Sequence, residues 1–161
     1  IQADFRKVDL NRDFGLAILS FGDFNTFPRK TARLLLKKLF NEIKPGGLML
    51  LEILTEEGVQ NIAERDASWL VQESGIFSEQ PHLFMDKYRF NNKSRSAEAD
   101  YFVINDVGRI DHYSQHYARY SDDEYQHLLL DSGFKTVEFY PGFGSGSHDF
   151  ADDLQIIVAR K

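Results

Sequence analysis

The stretch from Leu34 to Leu54 constrains the fold of this chain more than any other part of its sequence. Its first half repeats apolar residues at helical spacing up to Ile43, with lysine, asparagine and glutamate on the opposite side. The segment Lys44-Pro45-Gly46-Gly47 then ends the helix, because proline disfavours the α conformation at the preceding residue and the glycines permit a sharp reversal. The run from Leu48 to Ile53 is almost entirely apolar, which is typical of a strand covered on both faces of a parallel sheet. We therefore predict a helix, a tight turn and a buried strand.

A strand and a loop upstream complete a βαβ unit. Leu16 to Ser20 is a short apolar run, Phe21 to Asn25 has the composition of a loop, and Pro28 precedes the helix. Strand, loop, helix and strand within about forty residues predict a right-handed parallel crossover. The sequence therefore indicates an α/β fold.

Composition narrows the class of protein. The chain has 161 residues, 42% of them hydrophobic, which is enough to bury a core as one domain. Its net charge is −6 and it contains no basic run, which argues against nucleic acid as a partner. No apolar run is long enough to span a membrane and no secretory signal opens the sequence, so we expect a cytoplasmic protein. Without cysteine, the chain has no disulfide framework, thiolate nucleophile or thiolate metal ligand.

Four segments, taken in order, resemble the class I S-adenosylmethionine-dependent methyltransferases. They are Ala3-Asp4-Phe5-Arg6, the strand and loop Leu16 to Asn25, the helix that runs into Ile43-Lys44-Pro45-Gly46-Gly47 with Leu48 to Glu52, and Asp131-Ser132-Gly133-Phe134 before a late strand. The resemblance implies a doubly wound, Rossmann-like sheet with an antiparallel last strand. It also implies S-adenosylmethionine as the cofactor and methyl transfer to a small-molecule acceptor.

The resemblance covers nearly all of the chain but only part of what the family has. The family carries an earlier strand with a glycine-rich cofactor loop, and no such loop precedes these segments. Gly142 to Ser147 is glycine-rich, but it lies between two late strands, where we predict a flexible connection. We therefore expect residues 1–161 to form a single methyltransferase-like domain that is incomplete at its N-terminus and inactive alone.

Two other functions stay open at this point. The first is a non-catalytic, methyltransferase-like binding or assembly module, favoured by Gly15, which occupies a position where the family usually has aspartate. The second is another Rossmann-like enzyme, such as a nicotinamide oxidoreductase, which would need a dinucleotide loop upstream. The expected antiparallel last strand argues against this second alternative.

The resemblance assigns cofactor contacts to two places. Asp4 matches the acidic residue that accepts a hydrogen bond from the adenine amino group, and Phe5 matches the neighbour that packs on the ring. The other contacts follow the first strand, at the carboxyl end where open α/β sheets place their ligands. They are Ser20, Phe21 and Gly22.

Two polar residues in the same loop are candidates for substrate binding. Asp23 and Asn25 are expected to face the cationic sulfonium or the acceptor. The alternative is that Asp23-Phe24-Asn25 only turns the chain.

The middle of the chain changes character. Thr55 to Gln72 is polar and is predicted to be helical, with Trp69 on the inner side. Residues 76–120 then alternate apolar and polar side chains between turns at Asn91–Ser94 and Asp106–Arg109, which predicts an antiparallel meander. We expect this β-rich insertion to cover the substrate.

The run HYSQHYARY, which starts at His112, supplies the remaining site candidates. In a strand its two histidines share one face with Ser114, and two tyrosines share the other. In a helix the histidines would have a metal-capable spacing, but no third ligand lies nearby and we predict no metal. His116 is the candidate general base, because histidine titrates near neutrality. The residues expected to act with it are catalytic Tyr117 and the substrate contacts Tyr113 and Arg119. The alternative is that these side chains only pack the insertion onto the sheet.

The C-terminal part predicts one helix and two strands. Ser121 and Glu124 have the spacing of a capping box, and Gly133 ends the helix that they begin. Lys135 to Tyr140 and Leu154 to Ala159 are predicted strands. If earlier strands are absent, the strand from Leu16 to Ser20 becomes a sheet edge, and we expect self-association or contact with a complementary piece.

Overall fold

The chain folds into two four-stranded sheets with three α-helices in the part that the computed structural model describes, residues 4–8, 13–143 and 153–161. The elements are β1 (Phe14–Leu19), α1 (Arg29–Glu42), β2 (Ile43–Leu54), α2 (Glu56–Ala63), β3 (Ser68–Gln72), β4 (His82–Asn91), β5 (Ser96–Asn105), β6 (Ile110–Ala118), α3 (Asp122–Ser132), β7 (Thr136–Pro141) and β8 (Leu154–Arg160). A 3₁₀ turn covers Asp23–Thr26. No described helix has the length and apolar character needed to cross a membrane.

The first sheet has the strand order β1-β2-β8-β7. Strand β1 pairs in parallel with β2, with Leu16 opposite Leu48 and Leu19 opposite Leu51. Strand β8 runs antiparallel to both β2 and β7. The predicted parallel βαβ unit and antiparallel last strand are confirmed, and β1 lies at the edge as expected.

The segment between α1 and the buried part of β2 differs from the prediction. A separate tight turn was expected at Lys44-Pro45-Gly46-Gly47, yet β2 already begins at Ile43. The C-terminus accounts for the difference, because Lys161 pairs with this segment. The Gly46 amide donates to the Lys161 carbonyl at 3.0 Å, and the Lys161 amide donates to the Gly47 carbonyl at 3.0 Å.

Helices α1 and α3 cover one face of the first sheet. Leu36 of α1 belongs to one buried cluster with Met49 and Leu51 of β2, Ile157 of β8 and Leu129 of α3. Each of these side chains is at most 1% exposed, and full burial of such a side chain contributes about 1.5–3 kcal/mol. This core holds the parallel strands in place.

Helix α3 begins and ends at the predicted residues. The Ser121 hydroxyl accepts from the Glu124 amide at 3.3 Å, and the Glu124 carboxylate accepts from the Ser121 amide at 2.9 Å. Gly133 follows the helix with a φ of 113°, a conformation that favours glycine. The capping box is confirmed.

The second sheet is an antiparallel meander in the order β3-β4-β5-β6. The predicted meander is present, but it has one more strand than expected. Helix α2 ends at Ala63, and Ser68 to Gln72 pairs with β4 where we predicted a continued helix. Trp69 is 70% exposed, so the prediction that it faces inward was wrong. The reason is tertiary, because β4 offers a free edge to a short segment rich in strand-forming residues.

A second core joins the meander to the first sheet. It contains Leu54 at the end of β2, Val59 and Ile62 of α2, Ala97 of β5 and Leu154 at the start of β8. The inner face of the meander adds Tyr88, Phe90 and Tyr117 to it. The meander therefore packs beside the carboxyl end of the parallel strands, where the predicted site residues lie. Residues 144–147 of the glycine-rich connection lie outside the described residues.

Candidate functional site

A cavity of about 200 Å³ lies between the carboxyl ends of the parallel strands and the inner face of the meander. The loop after β1 supplies one wall, α2 and β6 supply the opposite walls, and the ends of β2 and β8 form an apolar floor. The lining residues are Phe21, Asp23, Thr26, Leu54, Ile62, Arg65, Gln115, Tyr117 and Leu154. Open α/β sheets bind ligands in this position, so we take this cavity as the candidate site.

A strained turn forms the entrance wall. Phe21 and Gly22 both have left-handed backbones, with φ angles of 57° and 71°. Glu52 binds both amides of the turn: the Phe21 amide donates to its carboxylate oxygen Oε2 at 2.7 Å, and the Gly22 amide donates to its backbone carbonyl at 3.0 Å. A side chain at Gly22 would also contact Leu54 at 3.1 Å. Non-glycine residues with such backbones cluster at functional sites, and this one presents a Phe21 ring that is 66% exposed.

Asp23, which we predicted to contact the substrate, lines the cavity. The 3₁₀ turn orients it, since the Asp23 amide donates to the Ser20 carbonyl at 3.2 Å and the Thr26 hydroxyl donates to the Asp23 carbonyl at 2.7 Å. Its side chain is exposed and lines the same cavity as Tyr117. Asp23 therefore offers a negative charge beside the aromatic wall of Phe21.

Asn25 has a different role from the one predicted. Its side chain is fully buried, and its amide nitrogen donates to the Ala118 carbonyl at 2.9 Å and to the Tyr125 hydroxyl at 2.8 Å. Its side-chain oxygen accepts from the Leu54 amide at 3.0 Å. Asn25 therefore joins the loop to the ends of β2 and β6, and the predicted contact with substrate does not fit this position.

The two predicted catalytic residues lie on opposite faces of β6. Tyr117 and Gln115 share the inner face and line the cavity. His116 alternates with them and points to the outer face, opposite Glu98 in the register. His112 lies on that outer face too, with Nε2 2.9 Å from Asp100 Oδ1. His116 and Tyr117 were predicted to act together, but they do not face the same cavity, because adjacent strand residues point to opposite faces of the sheet.

Tyr113 and Arg119 do not line the cavity. Tyr113 joins an aromatic cluster farther along the meander, with its ring centroid 5.0 Å from that of Phe77. Arg119 donates to Glu56 at 2.9 Å and stacks at 5.8 Å over Phe90. Both were predicted as substrate contacts, and the structure gives them packing and ion-pair partners instead.

Burial keeps the cavity tyrosine protonated. Desolvation, followed by the neighbouring Tyr101, raises the pKa of Tyr117 well above its usual range. Desolvation, followed by the hydrogen bond to Asp86, raises the pKa of Tyr88 to about 12. Tyr117 therefore offers a hydroxyl group at neutral pH rather than a phenolate base.

The two upstream cofactor candidates, Asp4 and Phe5, do not line this cavity. Asp4 pairs with Arg6 at 2.8 Å, and that hydrogen bond lowers the pKa of Asp4 to about 2. The Phe5 ring packs edge-on against Phe27 with centroids 5.9 Å apart. Phe5 also lines an apolar groove of about 350 Å³ that runs along β1. Ser20 lies at the carboxyl end of β1, next to the strained turn.

Four polar residues at this site were not predicted from the sequence: Thr26, Glu52, Arg65 and Gln115. Gln115 could have been found, because it shares the strand alternation of Tyr117, and Glu52 could have been noticed as the single acid in a buried run. No sequence signal marked Thr26 or Arg65. No cluster of three or more histidine, aspartate or glutamate side chains suited to a metal ion occurs in the described part of the chain.

Comparison by structure finds methyltransferases, whereas comparison by sequence finds nothing. No protein-family model and no curated protein matches the sequence. An S-adenosylmethionine-dependent methyltransferase from Clostridium acetobutylicum superposes on 98% of this chain, with a TM-score of 0.70 and 10% identity. The sugar N-methyltransferase KedS8 from Streptoalloteichus matches 99% of it, with a TM-score of 0.67 and 16% identity. CalS10 from Micromonospora echinaspora, an amino pentose methyltransferase with bound S-adenosylmethionine, matches 99% with a TM-score of 0.57 and 16% identity.

These similarities establish the class of the fold. The chain has the class I methyltransferase fold that the sequence resemblance implied. It spans 62%, 61% and 63% of the length of the three proteins named above.

Proposed function

We propose that this chain is the acceptor-binding part of an S-adenosylmethionine-dependent methyltransferase that acts on an amino group of a small molecule. The observation that carries the proposal is the cavity itself, in which Asp23 and the Phe21 ring share walls with Tyr117 beside the carboxyl ends of two parallel strands. The amino acceptor is suggested by two structural neighbours, which are named for a sugar N-methyl transfer and an amino pentose. The size of the cavity, about 200 Å³, suits a small molecule or one part of a larger one.

The residues at the end of β1 fit a sulfonium cofactor. The amides of Phe21 and Gly22 already donate to Glu52, so the turn offers a ligand an aromatic face and the Asp23 carboxylate. These groups are electron-rich and favour a neighbouring cation. Ser20, Phe21 and Gly22 would therefore hold the sulfonium end, and S-adenosylmethionine would supply an activated methyl group there.

The chain's own residues would bind and orient the acceptor. Asp23 would hold the amino group, and the Phe21 ring with the Leu54 and Leu154 floor would exclude water from it. An amine that gains a methyl group becomes a cation and then releases one proton. The Asp23 carboxylate is placed to receive that proton or to pass it to water. The Tyr117 hydroxyl would donate a hydrogen bond to the acceptor, since burial keeps it protonated.

The test measures methyl transfer by the full-length protein. A panel of amino sugars and other small amines is incubated with S-adenosylmethionine, and mass spectrometry follows the gain of a methyl group. We expect Asp23→Asn to lower kcat by about 10²-fold or more, the usual size of a lost proton-transfer group. Asp106→Asn, an exposed acid at the tip of the β5–β6 hairpin, is the matched control and should keep full turnover.

Two outcomes contradict the proposal. The first is methyl transfer to no amine of the panel. The second is an Asp23→Asn enzyme as active as the Asp106→Asn enzyme. Cofactor affinity and melting temperature are measured alongside, so that a folding defect is separated from a lost contact.

A further inference from the structure

A second cavity, of about 520 Å³, lies between helices α1 and α3 and shares no lining residue with the candidate site. We call it the α1–α3 groove. Three cations at the start of α1 line it, and they are Arg29, Lys30 and Arg33. The chain as a whole has a net charge of −6. The groove is therefore a local concentration of positive charge on an acidic protein.

Helix α1 begins with cations where a helix favours anions. Pro28 precedes the helix, no side chain caps its first amides, and its first turn contains no acidic residue. The amide end of a helix carries a partial positive charge, so Arg29 and Lys30 add to that charge instead of offsetting it. An anion bound at this end would be stabilised by the helix amides and by the cations together.

A buried hydroxyl group without a partner is a second, independent indication of a ligand. Tyr120 is 1% exposed and lines the groove, and its hydroxyl has no hydrogen-bond partner among the described residues. Desolvation raises the pKa of Tyr120 to about 12, and the charges of Arg29, Glu124 and Arg33 act on the same hydroxyl. The hydroxyl therefore lies close to the charged groups of the groove and keeps its proton at neutral pH. Because an unpaired buried hydroxyl is unfavourable, a ligand atom that accepts its proton would be stabilised there.

Two carboxylates also line the groove, but cations already bind one of them. Glu124 pairs with Arg29 at 3.0 Å and with Arg95 of the β4–β5 hairpin at 2.9 Å. The other carboxylate, Asp131, lies seven residues farther along α3, which is roughly 10 Å along a helix axis. The cations near the start of α1 therefore outnumber the acids that face them.

Lys30 and Arg33 are the two cations that remain for a ligand. Both are exposed, and within the described residues neither takes part in a hydrogen bond or an ion pair. They lie three residues apart on α1, so one face of the helix presents both. On the opposite wall His127 donates from Nδ1 to the Asp123 carbonyl at 2.7 Å and adds no negative charge. This end of the groove thus combines two cations, uncapped helix amides and an unpaired hydroxyl.

We propose that the α1–α3 groove binds the phosphate group of a small molecule, with Lys30 and Arg33 as its cationic contacts and the Tyr120 hydroxyl as a donor. A guanidinium group pairs with two phosphate oxygens, an ammonium group binds phosphate as a point charge, and helix amides donate to a further oxygen. The groove is larger than a phosphate ion and falls in the size range of small-molecule sites. Leu128 on the α3 wall would contact the carbon skeleton that carries the phosphate. This site is independent of the proposed methyl transfer.

The experiment is calorimetric titration of the full-length protein at constant ionic strength. The probes are inorganic phosphate, glucose 6-phosphate, glucose and acetate. We expect at least one of the two phosphates to bind about tenfold or more tightly than acetate, and glucose 6-phosphate to bind more tightly than glucose, because charge-assisted hydrogen bonds to phosphate are strong. Bound phosphate should also raise the melting temperature, since it binds only the folded chain.

Substitutions assign the binding to the groove. Arg33→Gln and Lys30→Gln should each weaken the phosphate by about tenfold, and Arg33→Lys should keep part of the affinity. Lys135→Gln is the matched control, because it removes an equal charge from an exposed position that does not line the groove. Tyr120→Phe removes only the unpaired hydroxyl, so it should weaken phosphate binding without lowering the stability of the phosphate-free protein.

Each outcome decides for or against the site. A phosphate preference that Arg33→Gln and Lys30→Gln reduce and Lys135→Gln leaves unchanged supports it. No binding of either phosphate, acetate bound as tightly as phosphate, or an equal loss in all three glutamine variants overturns it. Unchanged phosphate affinity in Tyr120→Phe would remove the hydroxyl from the site. None of these measurements uses cofactor or turnover, so their failure leaves the methyl-transfer proposal untouched.

Discussion

Glu52 is expected to hold the strained turn at the mouth of the cavity. The residue is 7% exposed, and its carboxylate accepts a hydrogen bond from the Phe21 amide at 2.7 Å. A hydrogen bond to a charged group contributes about 1.5–3 kcal/mol, and a left-handed non-glycine residue costs about 1–3 kcal/mol. The hydrogen bond therefore offsets a conformational free-energy cost of similar size. Without it, we expect Phe21 to leave the left-handed conformation.

Glu52→Ala removes the acceptor and leaves the Phe21 amide without its partner. The same change also removes a carboxylate whose burial is unfavourable, and this offsets part of the lost free energy of unfolding. We expect a net destabilisation of about 1–2 kcal/mol, smaller than the loss of the hydrogen bond alone. Glu52→Gln keeps a neutral acceptor oxygen and should cost less than Glu52→Ala.

The assay is urea unfolding of the chain, together with the NMR shift of the Phe21 amide. Phe21→Gly in the Glu52→Ala background is the informative second step, because glycine adopts a positive φ without strain. The double variant should recover part of the lost free energy of unfolding. If Glu52→Ala is as stable as the native chain and the Phe21 amide resonance does not move, the Glu52 carboxylate does not hold the turn.

Four further expectations concern single positions. Asn25→Ala should lower the free energy of unfolding by about 2–3 kcal/mol in urea titrations, because three buried hydrogen bonds are lost; a change near zero would contradict its bridging role. In the methyl-transfer assay proposed above for the full-length protein, Tyr117→Phe should lower turnover about tenfold while His116→Ala leaves it intact, since only Tyr117 faces the cavity; the reverse order of effects would place the chemistry on the outer face. The pKa of Asp100 is held low first by Arg89 and then by His112, so its contribution to stability is present above its ordinary pKa and is lost as the pH falls below about 4. When the free energy of unfolding is measured at decreasing pH, it should therefore fall less steeply in Asp100→Asn than in the native chain. The same pH dependence in both proteins would exclude this role. Ile18 is 56% exposed on edge strand β1, so Ile18→Lys should lower any self-association seen by light scattering of the isolated chain; association that is unaffected by Ile18→Lys would exclude this edge as the contact.

Local sequence was sufficient to predict the elements that show apolar periodicity or carry a capping motif. The helix and strand within Leu34 to Leu54 follow from apolar spacing, and the start of α3 follows from Ser121 and Glu124. The strand alternation of the meander was equally readable. The order of the motifs also predicted the class I methyltransferase fold, which the structural comparisons confirm at 10–16% identity. These features depend on neighbours within a few residues or on a fixed chain order.

Partners that are distant in sequence decided the rest of the fold. Ser68 to Gln72 is a strand because β4 lies beside it, and Lys44 to Gly47 is extended because Lys161 pairs with it. Neither partner can be inferred from the segment itself. Backbone pairing satisfies whichever donors the tertiary structure brings near, so a short segment with mixed propensity takes the conformation of its neighbour.

The candidate site shows the same division. The sequence determined that a loop carrying Phe21 and Asp23 follows a parallel strand, and that Tyr117 shares a strand face with Tyr113. Only the tertiary structure showed that Asn25 is buried, that His116 faces away, and that Arg65 reaches the same cavity. Side-chain direction is local, because it follows the backbone period. The surface that a given side chain faces is set by the packing of two sheets around Leu54 and Leu154, and no single segment encodes that packing.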